Sequence, residues 1–320
     1  MSHRPNSVSV IIVNWNTRDL LIQCMRSVRD NAGDAPLEII VVDNGSGDGS
    51  AEAVSGAFPD AHLIANERNL GFGAACNQGL SRATGDFVLL LNPDTVIPAG
   101  AIEALLGFMD EHPEVGIAGP LLVGTDGRPQ ISSFGLFPSP LEAFLRSLRI
   151  WRLAPRSALG RRFLAAPREG ESWAYAKHLL GACLLARKEL LDALGGFDED
   201  FLLFLEETDL CYRAQERGSR CAYSVGTHVV HAGEQSMQDI LHKTGALYIR
   251  SYNLFCRKRG MGLPRRLAVN LFLILGILAD AGAGLLRFHS PRRAAASMRG
   301  LYHAYFGPSS GLLPGRSAKD

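Results

Sequence analysis

Residues 87–94 read Phe87-Val-Leu-Leu-Leu-Asn-Pro-Asp94: five apolar residues run into a polar elbow that ends in a carboxylate. An unbroken apolar run of this length suits a strand buried on both faces, as in a parallel sheet. In open α/β sheets, ligands bind beyond the carboxyl ends of the strands. A carboxylate there can hold a divalent cation against a diphosphate, because hard cations take oxygen ligands and share phosphates. An ordinary Asn-Pro-Asp turn would look the same in isolation, so the neighbouring segments carry the decision.

On either side of this run, residues 8–125 alternate between strand-like and helix-like segments. Val8–Val13, Leu37–Val42 and the weaker His62–Ala65 read as strands, and Gly116–Gly119 begins another. Helices are expected over 18–31, Ser50–Phe58, Ala74–Ala83 and 99–111, the last ending before Pro113. Such alternation implies βαβ units and a mostly parallel sheet with right-handed crossovers. Beyond Gly181 the pattern turns helix-rich, over Lys188–Leu194, Thr208–Arg217 and a region after Ile240.

The 320 residues, 47% apolar and 20% charged, suffice for a sizeable core, and a formal charge of +1 gives no global field toward nucleic acid. Six scattered cysteines with no C-x-x-C pair argue against a zinc site or a disulfide framework and suit a reducing compartment. The chain enters a strand-like run directly after Met1-Ser-His-Arg-Pro5, so the catalytic body is expected to be cytoplasmic.

Two segments raise the question of a membrane. Between Glu142 and Glu169 stand seven arginines and no acid, with Leu141, Phe144, Leu145, Leu148 and Trp151 at helical spacing among them. A basic amphipathic helix of this kind can lie on an anionic membrane or simply pack, solvated, on its domain. Leu267–Leu286 is long enough to span a bilayer and contains only Asn270 and Asp280 as strongly polar residues, flanked by Arg265, Arg266 and Arg287. A central carboxylate costs about 2.5–3.5 kcal/mol on insertion. A helix lying on the inner leaflet is therefore favoured over a span, with a buried core helix as the other reading.

Four constellations carry the chemistry. In Val41-Val-Asp43-Asn-Gly-Ser-Gly-Asp-Gly-Ser50 a strand ends in an acid that can accept from a base N–H or a ribose hydroxyl; plain turn chemistry reads the same way. Asn69-Leu-Gly-Phe-Gly73-Ala-Ala-Cys-Asn77 approaches a dinucleotide fingerprint, but no strand immediately precedes its first glycine and Cys76 fills the third place. Glu206, Glu207 and Asp209 cluster after an apolar run, and clustered carboxylates beside apolar surface raise one another's pKa toward that of a general base. A solvated helix start is the alternative. His228 and His231 lie at strand spacing before a glycine turn, which could place one of them in a site.

In this order, the four segments resemble the inverting nucleotide-sugar transferases of glycosyltransferase family 2, nearest to their bacterial rhamnosyltransferase-like branch. The resemblance covers roughly residues 7–260. It implies a GT-A fold: an α/β, Rossmann-like, mostly parallel nucleotide-binding sheet flanked by helices. The nucleotide-binding half would span about 7–125, the acceptor half 126–260, and a helical, membrane-associated C-terminal region 261–320. Val13, Asn14, Asp43, Asn69, Gly73, Asn77, Asn92 and Asp94 would bind the nucleotide sugar. Asn92-Pro93-Asp94 stands where the family has D-x-D, with Asn92 replacing the first aspartate, so Asp94 and His231 would hold Mn2+ or Mg2+. Glu206-Glu207-Thr-Asp209 matches the E-D-x-D segment, with Glu207 in the place of the base and Glu206 and Asp209 beside it. The implied activity is transfer of a sugar, rhamnose among the candidates, from a dTDP- or UDP-sugar to a cell-envelope glycan on a lipid carrier. It would act at the cytoplasmic face of the inner membrane. Two other classes stay open at this point: an NAD-dependent oxidoreductase, and a non-catalytic sugar-nucleotide-binding relative.

Overall fold

The computed structural model describes residues 6–131, 133–149, 157–167, 169–233, 241–288 and 299–305. Strands β1 (Val8–Asn14), β2 (Leu37–Asp43), β3 (His62–Ala65) and β4 (Phe87–Leu91) pair in parallel in the order β3-β2-β1-β4. Helices α1 (Arg18–Asp30), α2 (Ser50–Ala57) and α3 (Phe72–Leu80) connect them, as the alternating pattern implies. Both faces of these strands are covered. Val8, Val10 and Ile12 pack with Leu89 and Leu91 against α1 and against α4 (Ala101–Glu111). Ile11 and Val13 pack with Val88 and Leu90 against α3. Because side chains alternate along a strand, two-sided burial makes every position apolar, hence the uninterrupted run at 87–91.

The sheet continues through strands that no local pattern announces. β10 (Cys183–Arg187) inserts antiparallel between β4 and β6 (Val115–Val123), and the twelve-residue β11 (Arg220–His231) lies parallel to β6. A register shift between Ser224 and His228 divides β11. Its first half pairs with β8 (Trp173–Ala176) and its last two residues with β5 (Thr95–Val96). A bulge bends a strand, and here β11 serves a different partner on each side of the shift. The result is a nine-stranded, mostly parallel mixed sheet running without a break from residue 8 to residue 231. A two-stranded ribbon joins β7 (Ser133–Phe134) to β9 (His178–Leu179).

The basic stretch forms two short helices, α5 (Pro140–Ser147) and α6 (Ala158–Leu164), each capped by the preceding serine. Trp151 and the arginines at 152, 156 and 168 lie outside the described residues. α7 (Lys188–Leu194) and α8 (Glu206–Glu216) are followed by α9 (Leu241–Lys258) and α10 (Leu263–Phe288). Ala143 of α5, Tyr252, Phe255 and Cys256 of α9 and Val269 and Leu273 of α10 close a third core around Phe201 and Leu205. The helical C-terminal layer is thereby built onto the loop that leads into α8. Among the described residues, no helix is long and apolar enough to cross a membrane. All six cysteines are buried free thiols.

Candidate active site

The parallel register brings Asn14 opposite Asp43 at the carboxyl edge of the sheet. Asn14 donates to Asp43 Oδ1 at 2.8 Å, and the Ser46 amide donates to Asp43 Oδ2 at 2.9 Å. Thr17 returns a hydroxyl to Asn14 Oδ1 at 2.6 Å. Both residues are nearly fully buried, so this network fixes the Asp43 carboxylate at the end of β2 beside the last residue of the β1 core, Val13. An oriented acid there suits a nucleobase or a ribose.

Asn69 Oδ1 accepts from the Asn44 side chain and from the Gly71 amide, both at 3.0 Å, which ties the second glycine segment to the loop after Asp43. The glycines themselves turn the other way. A side chain at Gly71, whose φ is +98°, would meet the Leu202 carbonyl at 2.8 Å, and one at Gly73 would meet Phe197 at 3.4 Å. Asn77 spends its amide on the backbone of Phe197 and on Glu199. Gly73 and Asn77 therefore sit on the side of this segment that packs against residues 197–202. A dinucleotide loop needs glycines that leave room for a pyrophosphate; here that room is filled by protein.

Asp94 and His231 converge from distant parts of the chain because β5 pairs with the end of β11, His231 opposite Thr95. Asp94 Oδ1 lies 3.5 Å from His231 Nε2, and both residues are largely buried. Behind the ring, Gln130 Nε2 donates to the His231 carbonyl at 2.9 Å, which turns Gln130 Oε1 to His231 Nδ1 at 2.8 Å. An amide oxygen only accepts, so Nδ1 donates in this contact and Nε2 is the nitrogen turned to the carboxylate. A carboxylate and a ring nitrogen opposed in this way can share a proton or a divalent cation. A histidine whose second nitrogen is held by a hydrogen-bond partner is the usual arrangement of a metal ligand. The donor set fits a divalent ion completed by phosphate oxygens and water. Gln130 carried no sequence signal. Among the described residues, no group of three or more His, Cys, Asp or Glu is placed to hold a metal ion, so the pair alone would supply the protein ligands.

Glu206 and Glu207 open α8 immediately after Phe204 and Leu205, whose φ values are +67° and +63°. Two successive non-glycine residues in the left-handed region are strained. They are held by a hydrogen bond from Ser251 of α9 to the Leu203 carbonyl at 2.7 Å and by the Asp209 amide, which caps the Leu205 carbonyl at 2.8 Å. Burial pushes the Glu207 carboxyl up to about 7. Glu206 is driven well above the ordinary range by burial and then by the charge of Glu207, and its Oε2 has no hydrogen-bond partner. Thr208 bridges Glu207 Oε1 at 3.4 Å and His178 Nδ1 at 3.1 Å. Burial, reinforced by the Arg146 charge, depresses the His178 imidazole to about 3, so this ring is neutral.

Asp209 stands apart. It is fully buried, with Oδ2 2.6 Å from Arg213 Nε and Oδ1 bound by Arg259. With both oxygens committed, it anchors α8 to α9. Glu207, by contrast, packs across Gly181, where an added Cβ would lie 3.6 Å away. The next residue, Ala182, accepts the Asn92 amide at 3.0 Å. One backbone step thus links the raised carboxyl to the Asn92–Asp94 elbow.

A nine-stranded, mostly parallel mixed sheet flanked by helices is the GT-A architecture. Residues 9–166 match the model of Glycosyl transferase family 2, and the chain belongs to that family. It is 29% identical over 214 residues, 62% of this chain and 68% of the relative, to N-acetylglucosaminyl-diphospho-decaprenol L-rhamnosyltransferase of Mycobacterium tuberculosis. It is 27% identical over 307 residues to that organism's pre-mycofactocin glycosyltransferase, covering 93% of this chain but 59% of that one. The fold matches a mannosyltransferase from Pyrobaculum calidifontis, solved with GDP-Man and Mn2+, at a TM-score of 0.60 and 18% identity over 95% of this chain and 88% of that one. The protein is a glycosyltransferase, and the oxidoreductase reading falls with the fingerprint that prompted it.

Proposed function

We propose that the protein is an inverting transferase that moves a hexose, rhamnose among the candidates, from a dTDP- or UDP-sugar to a hydroxyl of a cell-envelope glycan borne on a lipid diphosphate. The observation that carries the reading is Glu207: a carboxyl raised to about 7 that packs against Gly181, whose neighbour Ala182 accepts the Asn92 amide of the Asn92–Asp94 elbow. A general base works best when its pKa lies near the operating pH.

In this reading Asp43 and Asn14 orient the nucleoside, and Asn69 braces the loop beside it. Asp94 and His231 would hold Mn2+ or Mg2+, which when bound offsets the charge that develops on the leaving diphosphate. Glu207 takes the proton of the acceptor hydroxyl as that oxygen attacks the anomeric carbon from the face opposite the diphosphate, inverting it. Glu206, buried and neutral, keeps a second negative charge away from Glu207. The donor and acceptor classes draw support from the name of the mycobacterial rhamnosyltransferase; Mn2+ draws it from the archaeal mannosyltransferase.

Calorimetry with UDP, dTDP, GDP and NAD+, with Mn2+ and again with EDTA, tests the donor half of the reading. Manganese-dependent binding of dTDP or UDP that is lost in Asp94→Ala is expected. Tight GDP binding with none to dTDP or UDP would move the donor to the GDP-sugars. A non-catalytic relative would bind nucleotide yet turn over no acceptor, and Glu207→Gln would change nothing in it.

A further inference from the structure

Helix α10 is inside out over residues 263–279. Leu263, Leu267, Leu271, Leu275 and Leu278 repeat at intervals of four, four, four and three and are each between 43% and 60% exposed. On the opposite side Val269 and Leu273 enter the core. The one amide on this stretch, Asn270, points into the protein, where it exchanges hydrogen bonds with Asn253 of α9 at 2.8 and 2.9 Å. A soluble surface helix turns its polar face outward; this one turns out leucine.

The leucine stripe is continued by a second helix. Phe144 of α5 stacks edge-on against Phe272 at 5.2 Å, and Ser147 lies against Gly276. Leu141 and Phe144 of α5 and Leu148 at its C-terminal cap form their own exposed stripe at intervals of three and four. Large contiguous apolar surface on a soluble fold marks an interaction site.

Charge names the occupant. Residues 143–168 and 241–279 together contain fourteen Lys and Arg and no Asp or Glu, which leaves nineteen cations against thirty-two acids in the rest of the chain. A near-neutral protein has thus concentrated its positive charge on the segments that carry the exposed leucines and on α9, which packs against them. Some of these cations are spoken for: Arg146 by Glu142, Arg250 by the carbonyls of His303 and Ala304, Lys258 by Asp198 and Asp200, and Arg259 by Asp209. Arg162, Arg257 and Arg265 are exposed. A second copy docked on this face would bring two such basic sets together, which like-charge repulsion opposes. An anionic bilayer offers both hydrocarbon for the leucines and negative headgroups for the arginines.

We infer that α5 and the outward leucine face of α10 form a single in-plane docking surface for an anionic lipid bilayer. The inference rests, for its purpose, on the lipid-borne acceptor proposed above. The docked layer is the one that shapes the base: α9 holds the Leu203 carbonyl, two residues before the left-handed Leu205 that opens the helix of Glu207, through Ser251. Docking therefore sets Glu207 at a fixed height above the headgroups, where the hydroxyl of a lipid-anchored glycan is presented.

The test is flotation of the full chain with vesicles of phosphatidylcholine alone and of phosphatidylcholine with phosphatidylglycerol, at low and high salt. Manganese-dependent nucleotide binding is measured on the same preparations. The wild type should float with the anionic vesicles at least about tenfold better than with the neutral ones, and salt should weaken the binding. Leu267→Glu/Leu271→Glu/Leu275→Glu should stay with the soluble fraction while binding nucleotide normally. Arg162→Glu/Arg265→Glu, which leaves the packing untouched, should lose most of the preference for anionic vesicles. Equal flotation of wild type and both variants would overturn the inference. So would a wild-type dimer that ignores vesicles and is made monomeric by the triple leucine variant. Failure of vesicle binding with nucleotide binding intact sinks the docking surface alone; loss of nucleotide binding with flotation intact sinks the transferase reading alone.

Discussion

His231 Nε2 and Asp94 Oδ1 face each other across 3.5 Å, and Gln130 holds the ring's other nitrogen from behind. In a neutral imidazole so held, the atom turned to the carboxylate is bare. In the proposed reading this pair receives the cation, and Gln130 fixes the tautomer that can do so. His231→Ala and Asp94→Ala should each abolish manganese-dependent nucleotide binding. Gln130→Ala should weaken the apparent metal affinity by roughly 10- to 100-fold, the usual effect of losing a histidine's outer partner. Titration of Mn2+ in the presence of dTDP or UDP reads all three; a Gln130→Ala protein with wild-type manganese dependence would remove the residue from the site.

Glu207 would set the pH behaviour. In the proposed mechanism its ionised form is the base, so turnover should rise with pH through about 7, the raised value that burial produces. Glu207→Gln should lower kcat by about 100- to 10,000-fold with little change in nucleotide affinity. Glu206→Gln should leave the limb close to its place, because a carboxyl held neutral is closely imitated by an amide. The sign for stability is opposite to that for activity. A carboxyl whose folded pKa lies above its unfolded value binds more protons in the native state, so stability falls as pH rises from about 4.5 to 7. The melting temperature of the wild type should decline relative to Glu207→Gln over that window; parallel curves would mean that Glu207 is not perturbed.

Much of this site was legible because its parts are strand ends. The apolar runs at 8–13, 37–42 and 87–91 place Asn14, Asp43 and Asp94 at one edge by pattern alone, since parallel strands buried on both faces declare themselves. The partners that tune those residues did not. β10 and β8 join the sheet by antiparallel pairing with strands far away in sequence, and no local period encodes such a pairing. Gln130 reaches His231 across 101 residues and Arg259 reaches Asp209 across 50. The carboxylate cluster at 206–209 is one motif on paper, yet successive helical positions point in different directions. Glu207 therefore faces Gly181, while Asp209 faces two arginines.

Asp209 separates structure from chemistry within that motif. Asp209→Asn would leave Arg213 and Arg259 facing an amide at a fully buried position. Breaking a buried pair by removing one partner costs roughly 3–5 kcal/mol, and the lower end applies because both arginines keep some contact with water. Denaturant unfolding should show that loss, while folded protein keeps an acid limb at about pH 7. Unchanged stability with abolished turnover would return Asp209 to the chemistry.

The last prediction concerns the strain in front of the base. Phe204 and Leu205 are left-handed, and the loop that contains them leans on Gly71 through the Leu202 carbonyl. A methyl group at position 71 would be too close to that carbonyl, at 2.8 Å, and would sit on a backbone with φ +98°. It has to push the 202–205 loop, and Glu207 follows two residues later. Gly71→Ala should therefore cost about 1–3 kcal/mol in stability and, through misplacement of the base, between about 10- and 100-fold in kcat. Gly218→Ala is the control: its φ is +83° but nothing lies within 4 Å of the added carbon, and it sits between α8 and β11 at the other end of β11 from His231. That variant should lose stability alone. If the two variants lost turnover in the same proportion, backbone strain in general, and not the Gly71–Leu202 contact, would be governing the rate.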